Sequence, residues 1–187
     1  MSHPGARDRL LELLRARSFE RKPVILASGK ESDFFIDCKQ TVLTAEGHTL
    51  VGHLMLHAIH ALPARAVAVA GVELGGCPLA SAVSLTSWQE GTPLDAVYVR
   101  KEATEHGSRR LLEGDTLLPP GSSVAIVEDV ITTGASTLKA ADKLRAAGYL
   151  LVGVVALVDR LEGGRDALEE AGLAVRSIYT RRDFMES

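Results

Sequence analysis

The residues best suited to chemistry lie in one short segment, VAIVEDVITTGAST, at positions 124 to 137. Four apolar residues are followed by Glu128 and Asp129 and by a Thr-Thr-Gly turn that leads into a helical pattern. Such a turn places unpaired backbone N–H groups at a helix N-terminus, where the peptide dipoles attract a phosphate. Gly134 lets the backbone approach the anion because it has no Cβ. The segment therefore predicts a site for a monophosphate.

Backbone groups and hydroxyls of this turn are the predicted phosphate donors: Val130, Ile131, Thr132, Thr133, Gly134, Ala135 and Ser136. Glu128 and Asp129 would repel a phosphate at close range, so we expect them to accept hydrogen bonds from ribose hydroxyls and to help hold magnesium. Two solvated acids before an ordinary capped helix would explain either motif alone, but the combination favours the phosphate site. Since no lysine follows the glycine, the sequence does not support a GxxxxGK[ST] loop.

Outside this segment, short apolar runs alternate with helical patterns. Residues 24–37 predict a hairpin with its turn at Ser28-Gly29. The alternation predicts an α/β fold, with right-handed crossovers, a parallel sheet flanked by helices, and ligands at the carboxyl ends of the strands. The predicted strands are 66–72, 94–99, 123–129, 151–159 and 173–179, and the predicted helices are 6–17, 44–63, 78–89, 135–147 and 163–171.

Composition limits the classes of function. Of 187 residues, 46% are hydrophobic and only 4% aromatic, which predicts a single domain over 1–187 with an aliphatic core. A net charge of -3 argues against nucleic acid or an anionic membrane as a partner. Cys38 and Cys77 are far apart, so both are expected to be reduced core residues. The charged, amphipathic N-terminus fits neither a signal peptide nor a membrane span, and we expect a cytoplasmic location.

Segment 124–137 resembles the phosphoribosyl pyrophosphate signature of the type I phosphoribosyltransferases. LASGKESDFFID (26–37) and VRKEATEHGSRRLLEG (99–114) resemble the orotate branch, and GVELGGCPLA (71–80) and VDR (158–160) extend the resemblance over nearly the whole chain. The resemblance implies transfer of the 5-phosphoribosyl group from phosphoribosyl pyrophosphate to orotate, giving orotidine 5′-monophosphate in pyrimidine (UMP) biosynthesis. It also implies magnesium as cofactor and a small N-terminal hood over about residues 1–40.

The same resemblance assigns the acceptor contacts. Phe34 and Phe35 would flank the orotate ring through stacking and apolar contact. Thr132 and Arg160 would also contact orotate, and the planar guanidinium suits a carboxylate or an imide edge. The ordinary alternatives are two strand residues in the core and a surface Arg160 paired with Glu162.

A dense group of cations at 100–113 resembles the mobile lid that closes over the donor pyrophosphate. Arg100, Lys101 and His106 would contact the leaving pyrophosphate, and Lys101, His106 and Asp129 are the predicted catalytic residues. Cations and magnesium there would stabilise charge that develops in the transition state. In a homodimer, the lid of one subunit would reach into the site of its partner. A solvated charged loop is the ordinary alternative.

Three places depart from the family's pattern. Thr104 stands where the family commonly has a lysine, two residues before His106, and Ala27 stands where many members have another. Leu74-Gly75 stands where many members have Tyr-Lys or a similar pair. The pair Gly75-Gly76 offers main-chain donors for pyrophosphate in place of side chains. These departures leave two alternatives open: a phosphoribosyltransferase for another base, and a non-catalytic paralogue that senses the donor or a nucleotide.

Overall fold

The computed structural model describes residues 5–25, 31–102 and 110–185. Seven helices and ten strands are assigned within those ranges. In chain order they are α1 (Ala6–Arg17), β1 (Phe19–Glu20), β2 (Val24–Ile25), β3 (Glu31–Ser32), β4 (Phe35–Ile36), α2 (Lys39–Val42), α3 (Ala45–His60), β5 (Ala68–Val72), α4 (Gly76–Gln89), β6 (Asp95–Val99), β7 (Leu112–Glu113), β8 (Ser123–Ile131), α5 (Ala135–Ala146), β9 (Leu150–Asp159), α6 (Gly164–Glu170), β10 (Val175–Thr180) and α7 (Arg181–Met185).

A six-stranded sheet forms the centre of the described chain, in the order β10-β9-β8-β5-β6-β7. The first five strands in this order are parallel, and β7 pairs antiparallel with β6 at one edge. After β5 the chain adds β6 on one side and later β8 on the other, so the order reverses between β5 and β8. Ligands of open α/β sheets bind at such a switch point, beyond the carboxyl ends of the strands.

Helices cover both faces of the sheet and form two apolar layers. Along β8, Ala125 and Val127 face the layer that contains α1, α3 and α4, while Val124 and Ile126 face the layer that contains α5 and α6. This alternation follows from the two-residue period of a strand. Burial on both faces explains why the strand sequence is nearly continuous Val, Ala and Ile.

Two short antiparallel ribbons lie between α1 and α2. In one, β1 pairs with β4, and in the other β2 pairs with β3. The Phe34 ring lies 5.1 Å from that of Phe19 and 5.6 Å from that of Phe184, centroid to centroid. This aromatic cluster joins the N-terminal segment to α7 and extends the main core.

The predicted alternation of strands and helices is confirmed, with small shifts at the boundaries. The β8 strand runs two residues past its predicted end, to Ile131, and α4 begins at Gly76 instead of 78. The Thr44 side chain caps α3, its Oγ1 accepting from the Gly47 N–H at 3.1 Å. The hairpin within 24–37 is confirmed by the β2–β3 pairing, and its turn at Ser28-Gly29 lies outside the described residues.

Some expectations require correction. The sheet is not wholly parallel, because the unpredicted β7 runs antiparallel to its neighbour. Helices α2 and α7 were not predicted either. Cys38 is a buried core residue as expected, but Cys77 is only partly buried, and both are free thiols. In the ranges that the structure describes, no helix has the length and apolarity needed to cross a membrane.

Candidate functional site

The phosphate loop, residues 130–136, connects β8 to α5 at the switch point of the sheet. Gly134 has a φ of 78°, in the left-handed region that favours glycine, and directly precedes the 12-residue α5. The first turn of a helix has N–H groups without intrahelical acceptors, which makes it an anion-binding position. Thr133, Ala135 and Ser136 are exposed. The loop therefore has the geometry that the sequence predicted for a phosphate site.

Glu128 lies beneath this loop and is only 5% exposed. Its Oε2 accepts hydrogen bonds from Ser136 Oγ at 3.3 Å and from Thr137 Oγ1 at 3.1 Å. Burial, and then the negative charge of Asp129, raise the pKa of the Glu128 carboxyl to about 8. The carboxyl thus ties the first turn of α5 to β8. The ribose contact predicted for Glu128 stays a prediction.

Asp129 is partly buried and faces the turn between β5 and α4. A Cβ added to Gly75 would lie 2.0 Å from Asp129 Oδ2, and one added to Gly76 would lie 2.6 Å from the carbonyl oxygen of Val127. Gly76 therefore requires glycine, whereas a larger residue at position 75 would displace the Asp129 carboxylate. The pair predicted from the sequence to offer main-chain donors has a packing role as well, because it brings the turn against the end of β8.

The opposite side of the phosphate loop rests on the start of α6. The Gly164 N–H donates to the carbonyl oxygen of Thr132 at 3.0 Å. A Cβ at Gly164 would lie 2.5 Å from that oxygen and 2.8 Å from the Gly134 nitrogen. Sequence reasoning missed Gly164, although the Gly163-Gly164 pair soon after VDR was an available signal.

Arg160 links the phosphate loop to the N-terminal segment. Its N–H donates to the carbonyl oxygen of Ile131 at 3.0 Å, and its Nη2 donates to Ser32 Oγ at 3.1 Å and to the Phe34 carbonyl oxygen at 3.0 Å. Nη2 also lies 3.0 Å from Glu162 Oε1, the predicted ion pair, but not in hydrogen-bonding geometry.

A second donor of the Arg160 guanidinium, the Nε–H group, is in a different situation. The side chain is 11% exposed, and among the described residues its Nε has no hydrogen-bond acceptor. A buried donor without an acceptor costs free energy. An anionic or carbonyl group of a ligand would satisfy it.

Phe34 and Phe35 face different surroundings, as adjacent extended residues should. Phe34 is 0% exposed and belongs to the core, with the Arg160 guanidinium 5.4 Å from its ring centroid. Phe35 is only partly buried, and Lys22 Nζ lies 4.0 Å from its ring centroid. The ordinary alternative of a core residue holds for Phe34. The ring contacts to orotate stay predictions.

Arg100 and Lys101 directly follow β6, beside the switch point. The Lys101 N–H donates to Glu73 Oε2 at 2.8 Å, and the Arg100 N–H donates to the carbonyl oxygen of Leu111 at 2.9 Å. A cavity of about 320 Å³ separates them from the first turns of α5. His106 and Thr104 lie outside the described residues, so their predicted roles stay predictions.

Most of the predicted site residues within the described ranges lie at one edge of the sheet. They come from the carboxyl ends of β6, β8 and β9 and from the phosphate loop, while Phe34 and Phe35 come from the N-terminal segment. A larger cavity of about 470 Å³ lies near His60 and Arg65, at the amino-terminal ends of β5 and β6, away from this edge. The smaller cavity is the candidate site, because the phosphate loop meets Arg100 and Lys101 there.

Known proteins share this architecture. Residues 43–171 match the family model of the phosphoribosyl transferase domain. The chain is 70% identical over 187 residues to the orotate phosphoribosyltransferase of Sorangium cellulosum, covering 99% of this chain and 97% of that protein. This chain belongs to the orotate phosphoribosyltransferase family.

Solved structures of the orotate phosphoribosyltransferase family agree with this assignment. The Mycobacterium tuberculosis enzyme in complex with Fe(III) dicitrate is 36% identical, with a TM-score of 0.81, over 96% of this chain and 98% of that one. The same enzyme in complex with 5-phospho-alpha-D-ribosyl 1-diphosphate is 34% identical, with a TM-score of 0.78, over 96% of this chain and 99% of that one.

The buried Glu128 carboxyl predicts a pH-dependent stability. Its folded-state pKa of about 8 exceeds its ordinary value of 4.5, so the folded protein binds the extra proton and stability falls as pH rises between those values. Glu128→Gln removes this titration and keeps an acceptor for both hydroxyls. From pH 5 to pH 8, we expect wild type to lose about 2 to 4 kcal/mol of unfolding free energy relative to the variant.

Urea denaturation followed by circular dichroism at several pH values measures this difference. Glu170→Gln, at an exposed position on α6, is the control and should keep the pH dependence of wild type. Parallel pH profiles for wild type and Glu128→Gln would show that the Glu128 carboxyl is ionised throughout this range.

Proposed function

We propose that this chain transfers the 5-phosphoribosyl group from phosphoribosyl pyrophosphate to orotate, giving orotidine 5′-monophosphate and pyrophosphate in pyrimidine biosynthesis. The observation that carries the proposal is the phosphate loop at the switch point, with Arg100 and Lys101 on one side and Arg160 on the other. Family membership and the name of the 70% identical relative support it. A cytoplasmic location stays a prediction.

In the proposed reaction, the lone pair of an orotate ring nitrogen forms the new bond to C1 of the ribose. The C1–oxygen bond breaks, and its electron pair leaves with pyrophosphate. The phosphate loop would hold the 5′-phosphate, while Arg100, Lys101 and His106 would stabilise the negative charge that builds up on the leaving group. Positioning the two substrates supplies much of the acceleration, and no covalent enzyme intermediate is needed.

Arg160 is the proposed anchor for orotate. Its Nε is buried, without an acceptor among the described residues, and an orotate carboxylate or ring carbonyl could accept from it. The backbone contact between Arg160 and Ile131 fixes this guanidinium relative to the phosphate loop. Thr132 and the partly buried Phe35 are the proposed further contacts, with Phe34 shaping the wall behind Arg160.

The residues present fit a magnesium ion held mainly by the donor. Within the described ranges, no group of three or more His, Cys, Asp or Glu side chains could hold a metal ion. Magnesium commonly binds one or two carboxylates together with substrate phosphates and waters. Asp129 is the better placed carboxylate, because Glu128 is buried under the phosphate loop. When bound, the ion would neutralise charge on the departing pyrophosphate.

An exposed apolar surface supports the proposed homodimer. Leu85 and Trp88 lie three residues apart on α4 and are 57% and 74% exposed, and Leu74, just before α4, is 63% exposed. Exposed apolar side chains that share one face of a helix, as Leu85 and Trp88 do, are typical of protein interfaces. Leu74, at the other end of α4, neighbours Glu73, whose carboxylate accepts from the Lys101 N–H. A partner that covers the whole length of α4 and Leu74 would lie near the start of the lid, as lid sharing between subunits requires.

The reaction is tested with purified protein, phosphoribosyl pyrophosphate, magnesium and orotate. We expect loss of orotate absorbance, formation of orotidine 5′-monophosphate identified by mass spectrometry, and no reaction when magnesium is chelated. Uracil, adenine and hypoxanthine serve as competing acceptors. Product from one of these bases and none from orotate would contradict the assignment of the acceptor.

Thr104→Lys supplies the lysine that the family commonly has in the lid. If wild type is active, this variant should turn over at least as fast, because the resemblance implies that an added cation there would contact the leaving pyrophosphate. An inactive wild type with an active variant would identify a non-catalytic paralogue. Inactivity of both proteins toward orotate would contradict the proposed reaction.

The dimer is tested by sedimentation of wild type and Trp88→Glu at micromolar concentration. We expect a wild-type dimer and a largely monomeric variant, because a carboxylate would be buried at the interface. Leu117→Glu changes an 89% exposed leucine elsewhere on the surface and should remain dimeric. A monomeric wild type would contradict the proposal.

Mixing His106→Ala chains with Asp129→Asn chains tests lid sharing. If the lid completes the partner's site, a mixed dimer has one intact site and one site that carries both defects. Half of the dimers in a random mixture are mixed, so the mixture regains roughly a quarter of wild-type activity. If the lid serves its own subunit, every site has one defect and the mixture stays as inactive as its components.

A further inference from the structure

Lys143, on the third turn of α5, contacts the first residues of the lid. Its Nζ donates to the carbonyl oxygens of Arg100 at 2.6 Å and of Lys101 at 2.8 Å. Lys22 and Lys39, by contrast, form ion pairs with acidic side chains. Within the described ranges, Lys143 has no acidic partner within ion-pair distance. Its ammonium group is therefore used to hold backbone.

The same two residues are held from two other directions. Glu73 Oε2 accepts from the Lys101 N–H at 2.8 Å, and the Leu111 carbonyl oxygen accepts from the Arg100 N–H at 2.9 Å. The backbone at positions 100 and 101 is thus fixed by the turn after β5, by the segment before β7 and by α5. The exposed Lys101 side chain can therefore reach a ligand, while the Arg100 guanidinium lies 3.6 Å from the Glu113 carboxylate.

Lys143 also connects the two ends of the proposed donor site. Lys143 lies eight residues after the start of α5, and the N-terminus of this helix forms part of the phosphate loop. That spacing corresponds to about 12 Å along a helix axis. The cavity of about 320 Å³ lies between the lid start and this helix. One rigid helix therefore contacts both the 5′-phosphate subsite and the backbone that carries the pyrophosphate-binding cations.

We propose that Lys143 is a positioning residue for the reaction: its ammonium holds the backbone at Arg100 and Lys101 so that the Lys101 side chain meets the pyrophosphate at a fixed distance from the phosphate loop. This inference rests on the proposed function. Because Lys143 acts on the pyrophosphate end alone, its loss should weaken pyrophosphate binding and leave the phosphate loop intact.

Pyrophosphate and ribose 5-phosphate are the two parts of the donor. Calorimetric titration with each of them measures the pyrophosphate subsite and the 5′-phosphate subsite separately. For Lys143→Met, we expect affinity for magnesium pyrophosphate to fall roughly tenfold or more, since two charge-assisted hydrogen bonds are lost, while affinity for ribose 5-phosphate stays within about twofold. In turnover, the KM for phosphoribosyl pyrophosphate should rise and the KM for orotate should not. A loss of ribose 5-phosphate affinity of equal size would indicate general damage to α5 and overturn the proposal.

Two further variants complete the test. Arg176→Met removes one positive charge at an exposed position on β10, on the far side of the sheet from the cavity. It should leave pyrophosphate affinity within about twofold. Lys143→Arg retains donors for both carbonyl oxygens and should restore part of the affinity. Equal losses in Arg176→Met and Lys143→Met would point to bulk charge and overturn the proposal.

Glu73→Ala distinguishes positioning from direct attraction. Removing a negative charge near the site would strengthen pyrophosphate binding if electrostatics alone acted, whereas releasing the Lys101 N–H would weaken it if positioning acts. We expect weaker binding. Tighter binding would overturn the proposal. Absence of pyrophosphate binding to wild type would contradict the proposed function itself, whereas wild-type binding that Lys143→Met leaves unchanged would overturn only the role of Lys143.

Discussion

A carboxyl group buried under the first turn of α5 determines where the phosphate loop lies. Glu128 accepts hydrogen bonds from Ser136 and Thr137, and these contacts tie the start of the helix to the end of β8. A phosphate subsite needs N–H groups that are fixed before the ligand arrives, since ordering a loose loop would cost conformational entropy. Burial also disfavours the ionised form of Glu128, and this raises the pKa of the carboxyl to about 8. The buried carboxyl that holds the phosphate loop in place therefore lowers the unfolding free energy of the protein as the pH rises.

Around this anchor, close backbone packing assembles the rest of the site. Gly75 allows the turn after β5 to contact the Asp129 carboxylate, and Gly164 allows the start of α6 to contact the backbone of Thr132 and Gly134. Arg160 adds a hydrogen bond from its own N–H to Ile131 and reaches across to Phe34. As a result, the groups proposed to bind the phosphate, the pyrophosphate and orotate are all fixed to the ends of adjacent parallel strands.

The sequence predicted the elements of this site more successfully than the contacts between them. Buried strands such as β8 have continuous apolar runs, and the Glu-Asp pair with its Thr-Thr-Gly turn is a local pattern, so both can be predicted from a short segment. The contacts of Gly75 with Asp129 and of Lys143 with Arg100 join residues more than 40 positions apart, which no local pattern encodes. Strand β7 has two residues and is too short to show a period. Burial of Phe34 depends on Phe184, from the other end of the chain.

The proposed function requires that residues 130–136 bind the phosphate of the donor sugar. A crystal structure of this protein with ribose 5-phosphate would locate that phosphate. We expect phosphate oxygens about 3 Å from backbone nitrogens of the phosphate loop, with Glu128 still in contact with Ser136 and Thr137 beneath it. A phosphate bound elsewhere, such as in the cavity beside His60 and Arg65, with none at the loop, would show that the phosphate loop is not the phosphate site.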